Sequence, residues 1–320
     1  MTTGTDKSRR GYDHAAVYYD SYDELLAVVV PFVRGGVDGG EPTVVSLDKV
    51  KSDLVRAALP DASNVEFLVA DDLYARPAAA IKSYRELMAA FVADGAQAIR
   101  IFGEVPRSGL GPTWDWWARY EAAVNHIYDE FPLRSMCGYD TRTTPRHVLD
   151  DVARTHPFVV TADGLHLHDD RYVEPPVFLT TPRTMTDHPI QHTPPLVDLI
   201  DPAPFTARRA VLAANRTRLT SDELDDLLLA TTEVVTNALR HGRPPVRVRA
   251  WSDTDRLIVT VHDRGAGPDD PFAGLLPAAD RSTGGFGLWL AHQLCHHVTF
   301  AGDEQGFTIR LTMGDLHHVS

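Results

Sequence analysis

The stretch Asp222–Gly242, DELDDLLLATTEVVTNALRHG, decides the fold of the second half of the chain. Leu224, Leu227, Leu228, Thr231, Val235 and Ala238 recur at i, i+3, i+4 spacing, which predicts a helix over Asp222–His241 with that stripe against a core. Asp226, Glu233, Asn237 and His241 form a neighbouring stripe. Residues four apart project from one side of a helix, so Glu233 and Asn237 can address one ligand together. One offers a carboxylate for proton transfer, the other an amide oxygen for a hard cation. Taken alone, Glu-x-x-x-Asn is more often an ordinary solvated or capping face.

Working outward, a helix is expected over Pro204–Arg216, and strands over Val246–Trp251 and Leu257–Asp263, close enough to pair as a hairpin. The second strand runs into Asp263-Arg264-Gly265-Ala266-Gly267-Pro268. Glycines there let the backbone approach a planar or anionic ligand, and an acid at a strand end can accept from an exocyclic amine. A plain Gly-rich turn accounts for that motif equally well. Thr283-Gly284-Gly285-Phe286-Gly287-Leu288 opens a helix expected over Phe286–His297, so free N–H groups and the positive helix end face one point, an anion site. Strands over Val298–Ala301 and Phe307–Met313 follow, the latter opened by Gly306-Phe307-Thr308. The expected packing is a mixed sheet with helices on one face.

The order of these elements resembles the N, G1 and G2 boxes of the GHKL ATPases, over about Pro202–Met313. Glu233-Val-Val-Thr-Asn237-Ala-Leu-Arg-His241-Gly242 is similar to the anti-sigma-factor serine kinases in particular. The resemblance implies a Bergerat-type α/β sandwich that takes ATP and Mg²⁺. It implies that Asn237 ligates the metal, that Asp263 bonds adenine with support from Thr308, and that Glu233 is the general base for an incoming serine hydroxyl. It also implies a pocket shaped by His241, Gly265, Gly267, Gly284, Gly285, Gly287 and Leu288. The implied partners are a STAS-type anti-sigma antagonist and a sigma factor. A module that holds ATP and sequesters its partner without turnover would use the same residues. Two-component histidine kinases carry a phosphoacceptor histidine on a long hairpin before this domain. Here a Pro-rich stretch and a short helix stand in that place, which argues against histidine autophosphorylation. The chain has no lysine after Lys82, so arginine must serve wherever a phosphate needs a side-chain cation.

In the first half, strands are expected at Thr43–Leu47, Val65–Val69, Ala98–Phe102, Arg134–Gly138 and Phe158–Val160, alternating with amphipathic stretches. That alternation predicts a mainly parallel, doubly wound α/β sheet. Gly35–Glu41 is glycine-rich but follows a helix and precedes a strand, the reverse of a phosphate loop, and reads as a helix-ending turn. Tyr12, Tyr18, Tyr19 and the segment Trp114–Glu121 suit a ligand pocket or, more commonly, core packing. His14, Tyr19-Asp20, Gly39-Gly40-Glu41, Arg119-Tyr120-Glu121, Asn125 and Cys137-Gly138-Tyr139-Asp140 together resemble the MEDS sensory domain. That resemblance implies a ligand sensor, a small molecule being the expected ligand, with His14 the first residue to test and a buried structural histidine the plainer account. The expected layout is a sensory domain over 11–165, a Pro-rich linker over 166–195 and the ATPase domain over 196–314.

With 44 acidic against 31 basic residues, net charge −13, the chain lacks the positive balance that phosphate-tracking nucleic-acid binding requires. Its two cysteines, Cys137 and Cys295, suggest no disulfide framework or cysteine zinc site. His292 and His296 have metal-ligand spacing but no evident third ligand. The longest apolar run, Leu25–Val33, is too short to cross a bilayer, so a cytoplasmic, membrane-free protein is expected, with homodimerisation left open.

Overall fold

The computed structural model describes residues 11–59, 64–69, 76–183, 185–276 and 286–314. The chain falls into two units that meet near Phe178 and Leu179.

The first unit runs β1 (Asp13–Tyr19), α1 (Tyr22–Asp38), β2 (Thr43–Leu47), α2 (Lys49–Ala58), β3 (Val65–Val69), α3 (Pro77–Ala93), β4 (Ile99–Gly103), α4 (Trp114–Ile127), β5 (Leu133–Asp140), α5 (Arg146–Thr155), β6 (Phe158–Val160) and β7 (His166–His168). The sheet order is β3-β2-β4-β5-β1-β6-β7. Every pairing is parallel except β6 with β7. Parallel strands covered on both faces read as continuous apolar runs, and β2, Thr-Val-Val-Ser-Leu, is buried at every position. The helices start where short polar side chains satisfy free N–H groups: Ser21 accepts from Glu24 ahead of α1, and Asp48 from Lys51 ahead of α2. Gly35–Glu41 is indeed a helix-ending turn, with Gly40 at φ 68°.

β1 went unread in the sequence because its buried residues, His14 to Val17, show no alternation. It occupies an inner position, pairing β5 on one side and β6 on the other. The stretch expected as linker carries structure of its own. β7 joins the first sheet, and a short helix, α6 (Pro175–Thr180), follows. Farther on, Thr193 accepts from the Trp251 indole N–H, and Thr186 and Gln191 accept from Arg310, which seats this segment on a sheet face of the second unit.

The second unit runs β8 (Val197–Ile200), α7 (Pro204–Ala214), α8 (Ser221–His241), β9 (Arg247–Ser252), β10 (Arg256–Asp263), α9 (Phe286–Leu294), β11 (His297–Asp303) and β12 (Gly306–Gly314). Its sheet order is β11-β12-β10-β9-β8, and all four pairings are antiparallel, where a mixed sheet was expected. Helix α9 does return β11 parallel to β10, but β12 lies between them, so every neighbouring pair is antiparallel. α8 packs between α7 and α9. Leu227, Leu228, Val234, Val235 and Ala238 of α8 join Leu257, Val259 and Val261 of β10 and Leu311 and Met313 of β12 in one core.

Candidate functional site

α8 begins with a reciprocal cap, the Thr220 hydroxyl accepting from the Glu223 N–H while the Glu223 carboxylate accepts from the Thr220 N–H. Three turns later Glu233 and Asn237 emerge half-buried beside the core stripe. Gly287, in the first turn of α9, faces both. A Cβ there would stand 2.8 Å from Glu233 Oε2 and 3.1 Å from Asn237 Nδ2, so only glycine lets α9 approach without displacing them.

Asp263, at the end of β10, is 8% exposed. Its Oδ1 accepts from the N–H groups of Arg243, 3.0 Å, and Gly265, 2.6 Å, which leaves Oδ2 as an acceptor. The carboxyl presses on Gly242, the residue that ends α8: a Cβ at that glycine would lie 2.4 Å from Asp263 Cγ. Gly267, at φ 87°, packs on the Phe307 ring. The end of β10 therefore meets the end of α8, and the start of α9 meets the same helix at Glu233 and Asn237.

Three more of the expected residues take the following places. Leu288 is in the apolar cluster, 8% exposed. His241 lies exposed in the last turn of α8. Thr308 pairs across the sheet with His262, whose Nδ1 is 2.9 Å from the Thr308 hydroxyl, while Asp263 pairs with Phe307. Side chains alternate faces along a strand, so Thr308 points to the face opposite Asp263. Gly284 and Gly285 lie outside the described residues.

In the first unit His14 is fully buried. Its Nδ1 is 3.0 Å from Asn125 Oδ1 and its Nε2 is 3.3 Å from Cys137 Sγ and 3.6 Å from Glu121 Oε2. The His156 Nε2 lies 3.6 Å from the same carboxylate oxygen.

A family model described as histidine kinase-like ATPase domain matches residues 201–313, and one described as MEDS, the methanogen/methylotroph DcmR sensory domain, matches residues 13–157. The chain is a MEDS domain followed by a histidine kinase-like ATPase domain. No curated protein matches it. Among the described residues, no helix is long and apolar enough to cross a membrane.

Burial sets the charge of the MEDS cluster. It pushes the Glu121 carboxyl up to about 8 and His156 down to about 4, depresses His14 well below the ordinary histidine value with help from His156, and raises the Cys137 thiol. His156 was not singled out in the sequence; it follows α5 directly, and nothing local marks it.

A second cluster missed in the sequence lies where the MEDS strands end. Glu104, the residue after β4, accepts from the Tyr19 hydroxyl at 2.7 Å and pairs with Lys51 from the first turn of α2. Ligands of parallel α/β sheets bind outside the carboxyl ends of the strands, which is where this pair stands.

Proposed function

We propose that the chain is an ATP-dependent protein serine kinase that acts as an anti-sigma regulator, with its MEDS domain sensing the signal that controls it. The observation that carries the reading is the convergence of Glu233 and Asn237 with Gly287, one helix end away from the anchored Asp263. Phosphoryl transfer asks a protein mainly for positioning and charge neutralisation. The residues fit a magnesium nucleotide: a half-buried amide beside a helix start, and an anchored carboxylate with one oxygen to spare. Asn237 would hold Mg²⁺, which would supply the neutralising charge on the phosphates. Asp263 Oδ2 would accept from the adenine amine, and Glu233 would take the proton from the attacking hydroxyl.

The phosphoacceptor is a serine on a STAS-type antagonist, whose modification decides whether a sigma factor is held or released. The test mixes the purified full chain, labelled ATP, Mg²⁺ and a STAS-type antagonist and looks for phosphoserine. Glu233→Ala should lower transfer by about 10²–10⁴-fold, the contribution of a general base. Undiminished transfer in Glu233→Ala removes that role. A stable nucleotide-dependent complex without any phosphoserine replaces the kinase by a sequestering regulator.

A further inference from the structure

We infer that the MEDS domain holds a divalent transition-metal ion, ligated by His14 from β1, Glu121 from α4, Cys137 from β5 and His156 after α5. One atom from each of these side chains lies within 4.8 Å of every other. Hydrogen bonding fixes what those atoms offer. The Asn125 amide nitrogen donates to the carbonyls of Glu121, Ala122 and Thr155, so its oxygen is the atom that meets His14 Nδ1. His14 must therefore carry its proton on Nδ1 and present a bare lone pair at Nε2. His156 is fixed likewise: its Nδ1 lies 2.9 Å from the Val152 carbonyl, which can only accept. Its Nε2 lone pair has no hydrogen-bond partner. Glu121 uses Oε1 to accept from the Tyr139 hydroxyl at 3.1 Å, and its Oε2 has no hydrogen-bond partner either.

Two nitrogen lone pairs and a carboxylate oxygen thus point at one another in a site closed to water, with the side chains of His14, Glu121 and His156 exposed by 1%, 2% and 0%. The Cys137 thiol can donate to His14 Nε2 at 3.3 Å, but His156 Nε2 and Glu121 Oε2 are left without partners, and such buried atoms are rare in folded proteins. A proton on Glu121 Oε2 would stand 3.6 Å from His156 Nε2, too long for a hydrogen bond. A central ion removes the conflict. Bonds of about 2.0–2.3 Å in a tetrahedron set ligand–ligand edges of roughly 3.3–3.8 Å. Three of the six separations, 3.3, 3.6 and 3.6 Å, fall in that range, and the remaining three lie within 4.8 Å, so the ligands close in slightly on the ion.

The donors also say which ion. Two imidazoles, a sulfur and a carboxylate suit a borderline ion such as Zn²⁺, Co²⁺ or Fe²⁺, and not the all-oxygen preference of Mg²⁺ or Ca²⁺. Asn125, the Val152 carbonyl and Tyr139 already stand as the outer partners that orient ligands at such centres. Binding releases the protons of the Cys137 thiol and the buried Glu121 carboxyl, and the resulting thiolate and carboxylate balance the two positive charges. A cavity of about 30 Å³ lies against His14, Glu121 and Cys137 under Tyr12 and Tyr128.

The test uses the full chain without an affinity tag, stripped with a chelator and kept free of nucleotide, titrated with Co²⁺. The expected result is one ion per chain, with the visible absorption of tetrahedral cobalt and a near-ultraviolet thiolate-to-cobalt band. Cys137→Ser should abolish the thiolate band and His156→Gln should weaken binding at least tenfold, while Cys295→Ser should change neither. If a ligand variant does not fold, the stoichiometry and band of the unaltered chain decide alone. Absence of the band in that chain, or a band that survives in Cys137→Ser, overturns the assignment.

Discussion

The two domains keep their polar residues under opposite conditions. In the MEDS domain His14, Glu121 and His156 are shut away from water with their acceptor atoms facing one another. In the ATPase domain Glu233 and Asn237 sit half-buried at a surface where a helix of the same domain keeps a glycine against them. A polar group that water still reaches costs little while its ligand is away, whereas one sealed in the interior needs its partner from folding onward. The difference suits the two proposed occupants: a nucleotide that comes and goes at Glu233 and Asn237, and an ion that stays among His14, Glu121, Cys137 and His156.

The sharpest contrast should come from removing a single charged side chain from each domain. Glu233→Ala, expected to lower phosphoryl transfer by about 10²–10⁴-fold, should leave folding stability within about 0.5 kcal/mol, as for most residues outside a packed core. Parallel rate assays and urea unfolding check both numbers. In the MEDS domain the expectation reverses, and charge removal shows in stability first. Lys51→Met strips the cation from Glu104, whose side chain is 10% exposed, and should cost about 3 kcal/mol in urea unfolding at neutral pH. Burial already raises the Glu104 carboxyl above its ordinary range even with Lys51 beside it, and without that cation it rises further. A folded state with the higher carboxyl pKa binds more protons than the unfolded chain, so the variant gains stability as pH falls and its deficit shrinks toward acid. A deficit that stays constant from neutral to mildly acidic pH would break the comparison.

How much of this was legible in the sequence follows the same division. α8 could be read nearly to its ends because one face is apolar and the other polar, which is the pattern a one-sided helix writes into a sequence. β2, β3 and β6 fall on their expected residues, Thr43–Leu47, Val65–Val69 and Phe158–Val160, because apolar runs between turn residues suit strands covered on both sides. β1 has the same environment but spends it on His14, Tyr18 and Tyr19, so composition hid it. The convergence of His14 with Cys137 depends on β1 lying beside β5, with Ala16 opposite Cys137, although more than a hundred residues separate them. No local pattern carries that adjacency. Thr308 shows the remaining difficulty: a motif match places a residue in order along a strand, and the shift of one position that moves it to the other face depends on a register only the folded sheet supplies.

A smaller effect tests whether the ATPase site depends on closeness more than on charge. Gly287→Ala adds one methyl group that would meet the ends of Glu233 and Asn237, which can swing aside, and the Glu233 Cβ at 3.1 Å, which cannot. Alanine favours a helix over glycine by about 1 kcal/mol, which offsets the small shift of α9, so thermal stability should change little. Nucleotide affinity should fall about tenfold by equilibrium binding of a fluorescent ATP analogue. Unchanged affinity would mean that the ligand does not use the space between α8 and α9.

The smallest expected effect separates support of the site from the site itself. Thr220 caps α8 through its hydroxyl, and the Glu223 carboxylate answers by accepting from the Thr220 N–H, at 2.8 Å. Thr220→Ala removes the hydroxyl half of this box and should cost about 1 kcal/mol, a few degrees in melting temperature. The cap lies thirteen residues before Glu233, roughly 20 Å along the helix axis, so phosphoryl transfer below the melting range should be unchanged. The N–H and hydroxyl of Thr220 hold the Glu223 carboxyl below its ordinary value. A depressed acid stabilises the fold above its unfolded pKa and loses that contribution as pH falls through the folded one. The hydroxyl's share of that contribution is lost in Thr220→Ala, so the gap to the unaltered chain should narrow in acid without closing, because the cap on the Glu223 N–H does not titrate. A transfer rate that fell with the cap at neutral pH would show instead that fraying at the far end of α8 reaches Glu233, and that the ATPase site is held less firmly than its packing against α9 and β10 indicates.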